Sequence, residues 1–296
     1  MKIAITGANS AVGQTLLGHI ARDGELVGIA GVRSKTAADG LPAAPNIVPR
    51  VISYDDPARL AEALAGARCV VHLAGILIEA RGTSYESANV EASRAVVEAA
   101  RRIGAEHVVF VSVLGADPRS SNRYLKSKGE AERIVGEAGP SSTVIRTPIL
   151  LGPGTAGANA LLRAVSKGKA SLLGGGRYVM RPLDVDDLCA AILTAARARP
   201  QGHHTHELGG PEPIAYRDLV QRFARAMGKE VAMGAVPVWI AKLAAGIASR
   251  LSGGGMTPQV IDIITGHEEI AENADAALGV RLTPLDETLR KIIRSA

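Results

Sequence analysis

The sequence predicts an α/β protein with a doubly wound parallel sheet and a smaller, mainly helical C-terminal lobe. Short apolar runs alternate with amphipathic helical patterns through the first 150 residues, which is typical of parallel strands covered by helices on both faces. The stretch TGANSAVG at 6–13 places a glycine-rich turn between the first strand and the first helix. After residue 150 the alternation weakens, and from Pro213 onward the pattern is mainly helical.

Each element follows from its own pattern of apolar residues and breakers. Strands are predicted at 2–6, 26–32, 47–53, 68–75, 107–113, 142–147 and 204–210. Helices are predicted at 11–22, 57–66, 84–104, 122–139, 158–169 and 184–200, with Gly66 and Gly104 as left-handed C-terminal residues. We expect one domain from 1–150 plus about 180–210, and a smaller substrate or partner lobe from about 151–179 plus 211–296.

Composition narrows the class of protein. The 296 residues carry a net charge of +5, only 3% aromatic residues and no dense basic run, so a nucleic-acid surface is not expected. Cys69 and Cys189 form neither a metal-ligand spacing nor a disulfide framework. We expect no signal peptide, and no apolar run reaches the ~20 residues that span a bilayer. A cytoplasmic protein is therefore expected, with attachment to a membrane surface left open.

The glycine-rich turn has the residue types that hold a pyrophosphate. Gly7 permits a tight turn, and Gly13 lets the helix pack closely on the sheet. Ser10 stands where a middle glycine is usual, and its hydroxyl is small enough to hydrogen-bond a phosphate oxygen. Amides at the start of the helix attract phosphate as well. The predicted nucleotide contacts in this turn are Gly7, Asn9, Ser10, Ala11, Val12 and Gly13.

The end of the second strand indicates which dinucleotide is bound. An NAD site places an Asp or Glu there, about 20 residues after the glycine turn, for the ribose hydroxyls. This chain has Val32-Arg33-Ser34-Lys35 instead, with no acid. Arg33 suits a 2′-phosphate, so we predict NADP(H). The alternative is that Arg33 and Lys35 are ordinary surface cations.

Tyr124 and Lys128 are four residues apart in a predicted helix and therefore share one face. A phenol with a pKa of ~10 is a poor base, but a nearby ammonium favours its ionised form. Such a pair can exchange a proton with a carbonyl or alcohol while a cofactor moves a hydride. By itself the spacing is common on helix surfaces, and its meaning depends on the motifs around it.

Two polar clusters contain residue types that can ligate a metal, but we predict no metal at either. His204 and His206 face the same way on a strand, but an exposed strand entry explains them better. Asp184, Asp186 and Asp187 open a predicted helix, where capping and the helix dipole favour acids.

Together these segments resemble the extended or atypical short-chain dehydrogenases/reductases. The resemblance rests on TGANSAVG, VVHLAG, Asn89, VFVSVLGAD, YLKSK, VIRTPILLGPG and later segments, over about three-quarters of the chain. It is strongest to the subgroup of the NAD(P)H-binding accessory subunit of respiratory complex I. It implies a Rossmann core of the NAD-dependent epimerase/dehydratase type, with a C-terminal lobe closing over it.

The resemblance also implies roles for particular residues. Its catalytic tyrosine and lysine fall on Tyr124 and Lys128, and the lysine also holds the ribose. The stretch beside the adenosine and ribose falls on Leu73, Ala74 and Gly75, and the segment flanking the nicotinamide on Pro148 and Ile149. By strand alignment the resemblance places the family's catalytic serine at Val113, which leaves Ser112 as a stand-in.

Two functions from different classes remain open. The first is an NADP(H)-dependent oxidoreductase acting on a carbonyl or secondary alcohol of a small apolar substrate. The second is a non-catalytic NADPH-binding structural, assembly or redox-sensing protein, which Val113 favours. Sugar-nucleotide chemistry is disfavoured by the short gap between Ser112 and Tyr124. A stripe of apolar residues from Trp239 to Leu251 suits core packing, a membrane surface or a pocket for a lipid- or quinone-like substrate.

Overall fold

A parallel sheet of seven strands forms the centre of the protein. The computed structural model describes residues 1–137, 140–252 and 255–296. The strands of the described chain are β1 (Lys2–Thr6), β2 (Val27–Val32), β3 (Ile47–Val51), β4 (Cys69–His72), β5 (His107–Val113), β6 (Ser141–Thr147), β7 (Leu150–Leu151), β8 (Lys169–Leu173), β9 (Val179–Met180), β10 (Leu183–Asp184), β11 (His203–Glu207), β12 (Ile214–Ala215) and β13 (Ala232–Val236). The central sheet contains β1 to β6 and β11, and the other strands form short two-stranded pairs.

Helices cover both faces of this sheet, as the alternating pattern predicts. The α-helices are α1 (Ala11–Arg22), α2 (Lys35–Asp39), α3 (Pro57–Ala63), α4 (Ala92–Arg102), α5 (Arg123–Glu137), α6 (Ala156–Ser166), α7 (Val185–Ala198), α8 (Tyr216–Ala226), α9 (Val238–Ser252), α10 (Pro258–Thr265) and α11 (Leu285–Arg294). The end of the helix predicted at 122–139 lies outside the described residues.

The strand order is β11-β6-β5-β4-β1-β2-β3, with every neighbouring pair parallel. The chain first moves outward from β1 through β2 to β3, then returns to β4 on the other side of β1. The order therefore reverses between β1 and β4, and the carboxyl ends of these two strands leave a crevice between them. In doubly wound sheets, ligands bind at this point. The predicted doubly wound Rossmann fold is confirmed.

Two apolar clusters fill the space between the sheet and its helices. On one face, α1 and α7 bury residues such as Leu16, Ile20 and Ile192 against the strands. On the other face, α3, α4 and α5 bury residues such as Leu60 and Ile134. Each fully buried aliphatic side chain contributes about 1.5–3 kcal/mol, so these two layers hold the sheet rigid beneath the crevice.

A third apolar cluster forms away from the sheet. Phe223, Leu219 and Leu289 from α8 and α11 pack there against Leu161 of α6 and Leu172 of β8. The segment 274–280, by contrast, packs on the α1 and α7 side of the central sheet. The division into two domains stays a prediction.

Several elements differ from the sequence-based expectation, among them the short strands β7, β8, β9, β10 and β12. The helix predicted at 84–104 begins with a π-helical segment, Glu86–Glu91, before continuing as α4. A five-residue helix, α2, follows the second strand. Strand β13 pairs in parallel with β8, although that region was expected to be helical. Its pattern is short and contains Gly234, so its pairing depends on a partner that lies far away in the sequence.

Within the described residues, no helix has both the length and the apolar character needed to cross a bilayer.

Candidate functional site

A cavity of about 360 Å³ opens at the carboxyl ends of β1 to β4. Among its lining residues are seven that the sequence predicts as cofactor contacts: Gly7, Asn9, Ser10, Arg33, Leu73, Ala74 and Gly75. Ala11, Val12 and Gly13 form the first turn of α1 beside it. Lys128, Pro148, Ile149, Tyr124 and Ser112 are not among the lining residues.

The glycine turn has no room for side chains at its two outer glycines. Gly7 has a φ of +76°, and a Cβ atom on it would stand 2.9 Å from the backbone nitrogen of Ala74. A Cβ atom on Gly13 would stand 2.5 Å from the carbonyl oxygen of Ala8. Both distances are shorter than van der Waals contact, so this turn packs α1 and the β4 loop as closely as glycine permits. Such a turn brings backbone amides within reach of a pyrophosphate.

Ser10 caps the helix that opens from this turn. Its side-chain oxygen accepts a hydrogen bond from the Gly13 backbone N–H at 3.0 Å. A hydroxyl that accepts one bond still has its own hydrogen to donate. Ser10 can therefore stabilise the start of α1 and donate to a phosphate oxygen at the same time. The serine does not obstruct the turn.

The end of β2 presents a cation to the cavity. Arg33 lines it and is exposed, and within the described residues no carboxylate forms an ion pair with its guanidinium. The sequence-based prediction missed Tyr54 and Asp55, which follow β3 and also line the cavity. Residues that follow β3 could have been predicted to line the cavity, because the carboxyl ends of parallel strands meet at one edge of a sheet.

Tyr124 lies in the first turn of α5 and is only 8% exposed. Burial raises the pKa of its phenol well above the usual value, and the nearby Tyr85, 5.8 Å away between ring centroids, raises it further. The Lys128 ammonium was predicted to lower this pKa, but burial of the phenol acts in the opposite direction and dominates. In the free protein, Tyr124 is therefore a protonated acid.

Lys128 is buried under the same face of α5. Its ammonium donates a hydrogen bond to the Val111 carbonyl oxygen at 2.9 Å and lies 4.1 Å from the centroid of the Phe110 ring. Burial lowers the pKa of Lys128 to about 8, while Glu132 acts in the opposite direction. The place where a Cβ atom on Gly75 would stand is 4.0 Å from the ammonium. Lys128 thus connects α5 to the cavity edge.

Asn89 fastens the loop after β4 to helix α5. Its side-chain oxygen accepts from the Ile76 N–H, and its amide nitrogen donates to the Ile76 carbonyl and to the Ser127 hydroxyl. Ser127 donates in turn to the Tyr124 carbonyl oxygen at 2.7 Å. Asn89 lies within the π-helical segment, a geometry that is frequent at functional sites. These bonds fix the cavity wall relative to Tyr124.

A buried histidine continues this chain of hydrogen bonds to the glycine turn. His72 bonds Thr6 at 2.7 Å through Nδ1 and Ser93 at 3.1 Å through Nε2. Because the Ser93 hydroxyl donates its only hydrogen to the Asn89 carbonyl, His72 Nε2 must carry the proton. Burial, and next Lys128, lower the pKa of His72 to about 3, so the ring is neutral.

This histidine predicts a particular loss of stability in acid. Its pKa is lower in the folded state than in the unfolded chain, so its contribution to stability is present above pH 6.5 and decreases as the pH falls. From pH 6.5 to pH 5 the expected loss is about 2 kcal/mol of unfolding free energy. Urea denaturation of the wild type and of His72→Asn at both pH values checks it. An equal pH dependence in the two proteins would contradict the assignment.

The strand end at Ser112-Val113 is where the resemblance departs from its family. The Ser112 side chain is buried on the same face of β5 as Phe110, the α5 side. Within the described residues its hydroxyl has no hydrogen-bond partner. Thr147 on β6 is paired in register with Val113 and donates to the Ser112 carbonyl oxygen at 3.3 Å. Thr147 supplies a second hydroxyl at this edge, which was not predicted from the sequence.

Pro148 and Ile149 follow β6 and connect to the C-terminal part of the chain. The Ile149 N–H donates to one carboxylate oxygen of Glu268 at 3.0 Å, and the Arg181 N–H donates to the other at 2.9 Å. Burial raises the pKa of Glu268 against these two hydrogen bonds. Glu268 holds the segment in place from 119 residues away, and no local sequence signal predicted it.

The aspartate cluster at the start of α7 and the histidine pair on β11 form hydrogen bonds within the protein. Asp184 caps α7 by accepting from the Asp186 N–H, as predicted, and is also bound by Thr288 and Lys291. His204 bonds the Gln201 carbonyl oxygen. In the part of the chain that the structure describes, no three metal-ligating side chains are grouped to hold an ion.

The fold and the cavity define a class of protein: a doubly wound α/β protein with a dinucleotide-type glycine turn. Consistent with this, a protein family described as NAD(P)H-binding matches residues 7–196. The chain therefore belongs to this NAD(P)H-binding family.

Two relatives are similar to this chain over part of their own length. The mitochondrial NADH dehydrogenase (ubiquinone) 1 alpha subcomplex subunit 9 of Arabidopsis thaliana is 32% identical over 59% of this chain and 44% of its own length. A ceramide reductase of Caulobacter vibrioides is 26% identical over 66% of this chain and 61% of its own. For both, the similarity spans less than two thirds of the relative.

A third relative is similar over more of its length. It is a ketoreductase of Stigmatella aurantiaca named for 4-hydroxy-2-methyl-3-oxo-4-farnesyl-3,4-dihydroquinoline-1-oxide, 28% identical over 85% of this chain and 80% of its own. Among solved structures, UDP-glucuronic acid 4-epimerase of Bacillus cereus covers 100% of this chain and 98% of its own, with a TM-score of 0.77 and 15% identity. That likeness is one of fold.

Proposed function

We propose that the protein is an NADP(H)-dependent oxidoreductase that reduces the carbonyl group of an apolar, lipid- or quinone-like substrate to a secondary alcohol. The observation that carries this proposal is the pair on α5, with Tyr124 buried and protonated and Lys128 buried beneath it at the cavity edge. A buried phenol with a raised pKa is suited to donate a proton to an oxygen that is becoming an alkoxide. This favours the reductive direction.

The residues of the cavity fit a phosphorylated dinucleotide. The glycine turn places the N-terminus of α1 beside the cavity, Ser10 has a hydrogen to donate, and Arg33 lacks an acidic partner among the described residues. Lys128 would hold the ribose, and Pro148 and Ile149 would flank the nicotinamide. When bound, the reduced nicotinamide supplies a hydride to the carbonyl carbon.

The chain's own residues then handle the proton. The Tyr124 hydroxyl donates its proton to the carbonyl oxygen as the negative charge develops there, and the resulting phenolate is reprotonated from water. The Lys128 ammonium stabilises that phenolate. Ser112 or Thr147 holds the substrate oxygen beside Tyr124. Two of the relatives, the ceramide reductase and the farnesyl-dihydroquinoline-oxide ketoreductase, are named for reductions of lipid-like molecules, which supports the apolar substrate.

The cofactor preference has its own test. Replacing Arg33 with alanine is expected to weaken NADPH binding by about tenfold or more and leave NADH binding nearly unchanged, because a charged hydrogen bond to phosphate contributes about 1.5–3 kcal/mol. Titration of both nucleotides against the wild type and Arg33→Ala measures this. Equal affinities in the wild type would refute the NADP(H) assignment. Arg50→Ala, an exposed cation on the neighbouring strand β3, serves as the matched control.

A second candidate is a non-catalytic NADPH-binding protein that serves in assembly or redox sensing. Val113 at the expected serine position favours it, as does the similarity to the complex I subunit of Arabidopsis thaliana. Incubation with NADPH and a panel of ketones and quinones separates the two candidates. The first predicts that NADPH is consumed with at least one of them, and the second predicts tight binding without consumption.

A further inference from the structure

Helix α9 presents its large apolar side chains outward. Trp239, Leu243, Ile247 and Leu251 recur every four residues and are 68%, 61%, 55% and 85% exposed. Side chains four apart lie on one face of a helix, so these four form a continuous stripe. Among the α9 side chains whose burial is described, the buried one is small, Ala245. This is the reverse of a helix that packs on its own protein's core.

The remaining exposed apolar residues gather around the same helix. Eight of the nine large apolar side chains that are exposed in the described part of the chain belong to α9, to Met256 or to the loop residues Leu77 and Ile78. The N–H of Gly255 donates to the Glu79 carbonyl oxygen at 2.9 Å and so joins the segment after α9 to that loop. Met256 follows Gly255 in the chain, and Ile78 precedes Glu79. The bond brings the loop and the segment with Met256 together, and we call these eight exposed apolar residues the α9 face.

The α9 face adjoins the Tyr124 end of α5. The Glu79 carboxylate accepts from the Tyr85 N–H at 2.9 Å and from Arg123 at 3.0 Å. The Tyr85 ring in turn lies against Tyr124. The α10 residue Gln259 accepts a hydrogen bond from Asn122, next to the start of α5. An apolar molecule on the α9 face is thus only a few side chains from the candidate proton donor.

The charges of α9 indicate what covers this face. The helix contains no acidic residue, and its charged residues are Lys242 and Arg250. Lys242 is paired with Asp262 of α10. Arg250 is exposed and has no carboxylate partner among the described residues. A stripe with a tryptophan and leucines, together with basic and no acidic residues, is the composition of helices that lie in the interface of anionic membranes.

We propose that the α9 face docks on the surface of an anionic lipid bilayer, and that an apolar substrate reaches the Tyr124 end of α5 from that bilayer. At 15 residues, α9 is about 22 Å long and lies in the interface without crossing the bilayer. The route for the substrate rests on the proposed function, whereas the docking itself does not.

Trp239 reports on docking directly, because it is the only tryptophan in the chain. Adding vesicles of phosphatidylglycerol mixed with phosphatidylcholine to the full-length protein is expected to shift its emission to shorter wavelength and to sediment the protein with the vesicles. Leu243→Gln and Ile247→Gln should abolish both effects. Val51→Gln removes the one exposed apolar side chain of this set that lies elsewhere, in β3, and should leave both unchanged. Arg250→Gln should weaken binding roughly fivefold.

Three results would overturn docking. One is absence of any shift or sedimentation with these vesicles. Another is vesicle binding that Leu243→Gln and Ile247→Gln leave intact. The third is a dimer in solution, by light scattering, that Leu243→Gln dissociates, since the α9 face would then be covered by a second copy. None of these measurements requires turnover, so their failure is distinct from failure of the proposed reaction.

The substrate route has a separate readout. With a long-chain ketone presented in vesicles, Leu243→Gln should lower the rate of NADPH oxidation, while the rate with a short, water-soluble ketone should match that of the wild type. Equal rates with the vesicle-bound ketone would overturn the route. A parallel loss with both ketones would also overturn it, because the substitution would then act on the reaction and not on delivery.

Discussion

Replacing Tyr124 with phenylalanine is expected to lower kcat for carbonyl reduction by on the order of 10²–10⁴-fold, the usual contribution of a positioned general acid. NADPH affinity should stay unchanged, because Tyr124 is not among the residues lining the cavity at the glycine turn. Stability should change little, since within the described residues the Tyr124 hydroxyl has no hydrogen-bond partner. Stopped-flow kinetics and nucleotide titration on the same preparation measure these quantities.

The matched control for this variant is Tyr178→Phe. Tyr178 is also a buried tyrosine, at 6% exposure, but it belongs to the third apolar cluster and stacks on Tyr216. The Tyr178→Phe protein also lacks one tyrosine hydroxyl, but we expect its turnover to match that of the wild type. If Tyr124→Phe retains wild-type turnover, tyrosine has no part in the proton transfer.

Replacing Gly13 with alanine is expected to abolish NADPH binding and to destabilise the protein by about 1–3 kcal/mol, the usual cost of overpacking. The added methyl group would stand 2.5 Å from the Ala8 carbonyl oxygen, so α1 must move away from the turn. That movement displaces the amides at the start of α1 and breaks the bond from the Gly13 N–H to Ser10.

Helix α1 supplies its own control for this prediction. At Gly18, five residues on, a Cβ atom would meet nothing within 4 Å. Gly18→Ala should therefore raise the unfolding free energy by up to about 1 kcal/mol through helix propensity and leave NADPH binding intact. Isothermal titration and urea denaturation of both variants check this pair. NADPH binding by Gly13→Ala at wild-type affinity would show that the turn does not hold the nucleotide.

The features predicted correctly from sequence are those whose causes are local. The helix predicted at 11–22 has those bounds because Ser10 supplies the cap and the apolar residues recur at helical spacing. Gly104 adopts positive φ directly after the C-cap of α4, as expected, whereas Gly66 has positive φ three residues beyond the end of α3. The central strands follow from runs of apolar residues that only a buried parallel strand can accommodate.

The features that sequence reasoning missed depend on distant partners. The role of Glu268 requires Ile149 and Arg181, and β13 requires β8. The pKa of Tyr124 was predicted in the wrong direction for the free protein. Spacing alone places Lys128 on the same helix face as Tyr124. It does not reveal that the ammonium is hydrogen-bonded to the Val111 carbonyl oxygen, or that burial has the larger effect on the pKa of the phenol.

Carbonyl reduction with NADPH would transfer a hydride from C4 of the nicotinamide to the carbonyl carbon. The most direct measurement uses NADPH deuterated at C4 of the nicotinamide, mixed with the protein and a panel of apolar ketones and quinones, with products analysed by mass spectrometry. We expect an alcohol product that carries the deuterium on the former carbonyl carbon, formed by the wild type and not by Tyr124→Phe. Tight NADPH binding with no labelled product from any member of the panel would contradict the proposed reduction and favour the non-catalytic candidate.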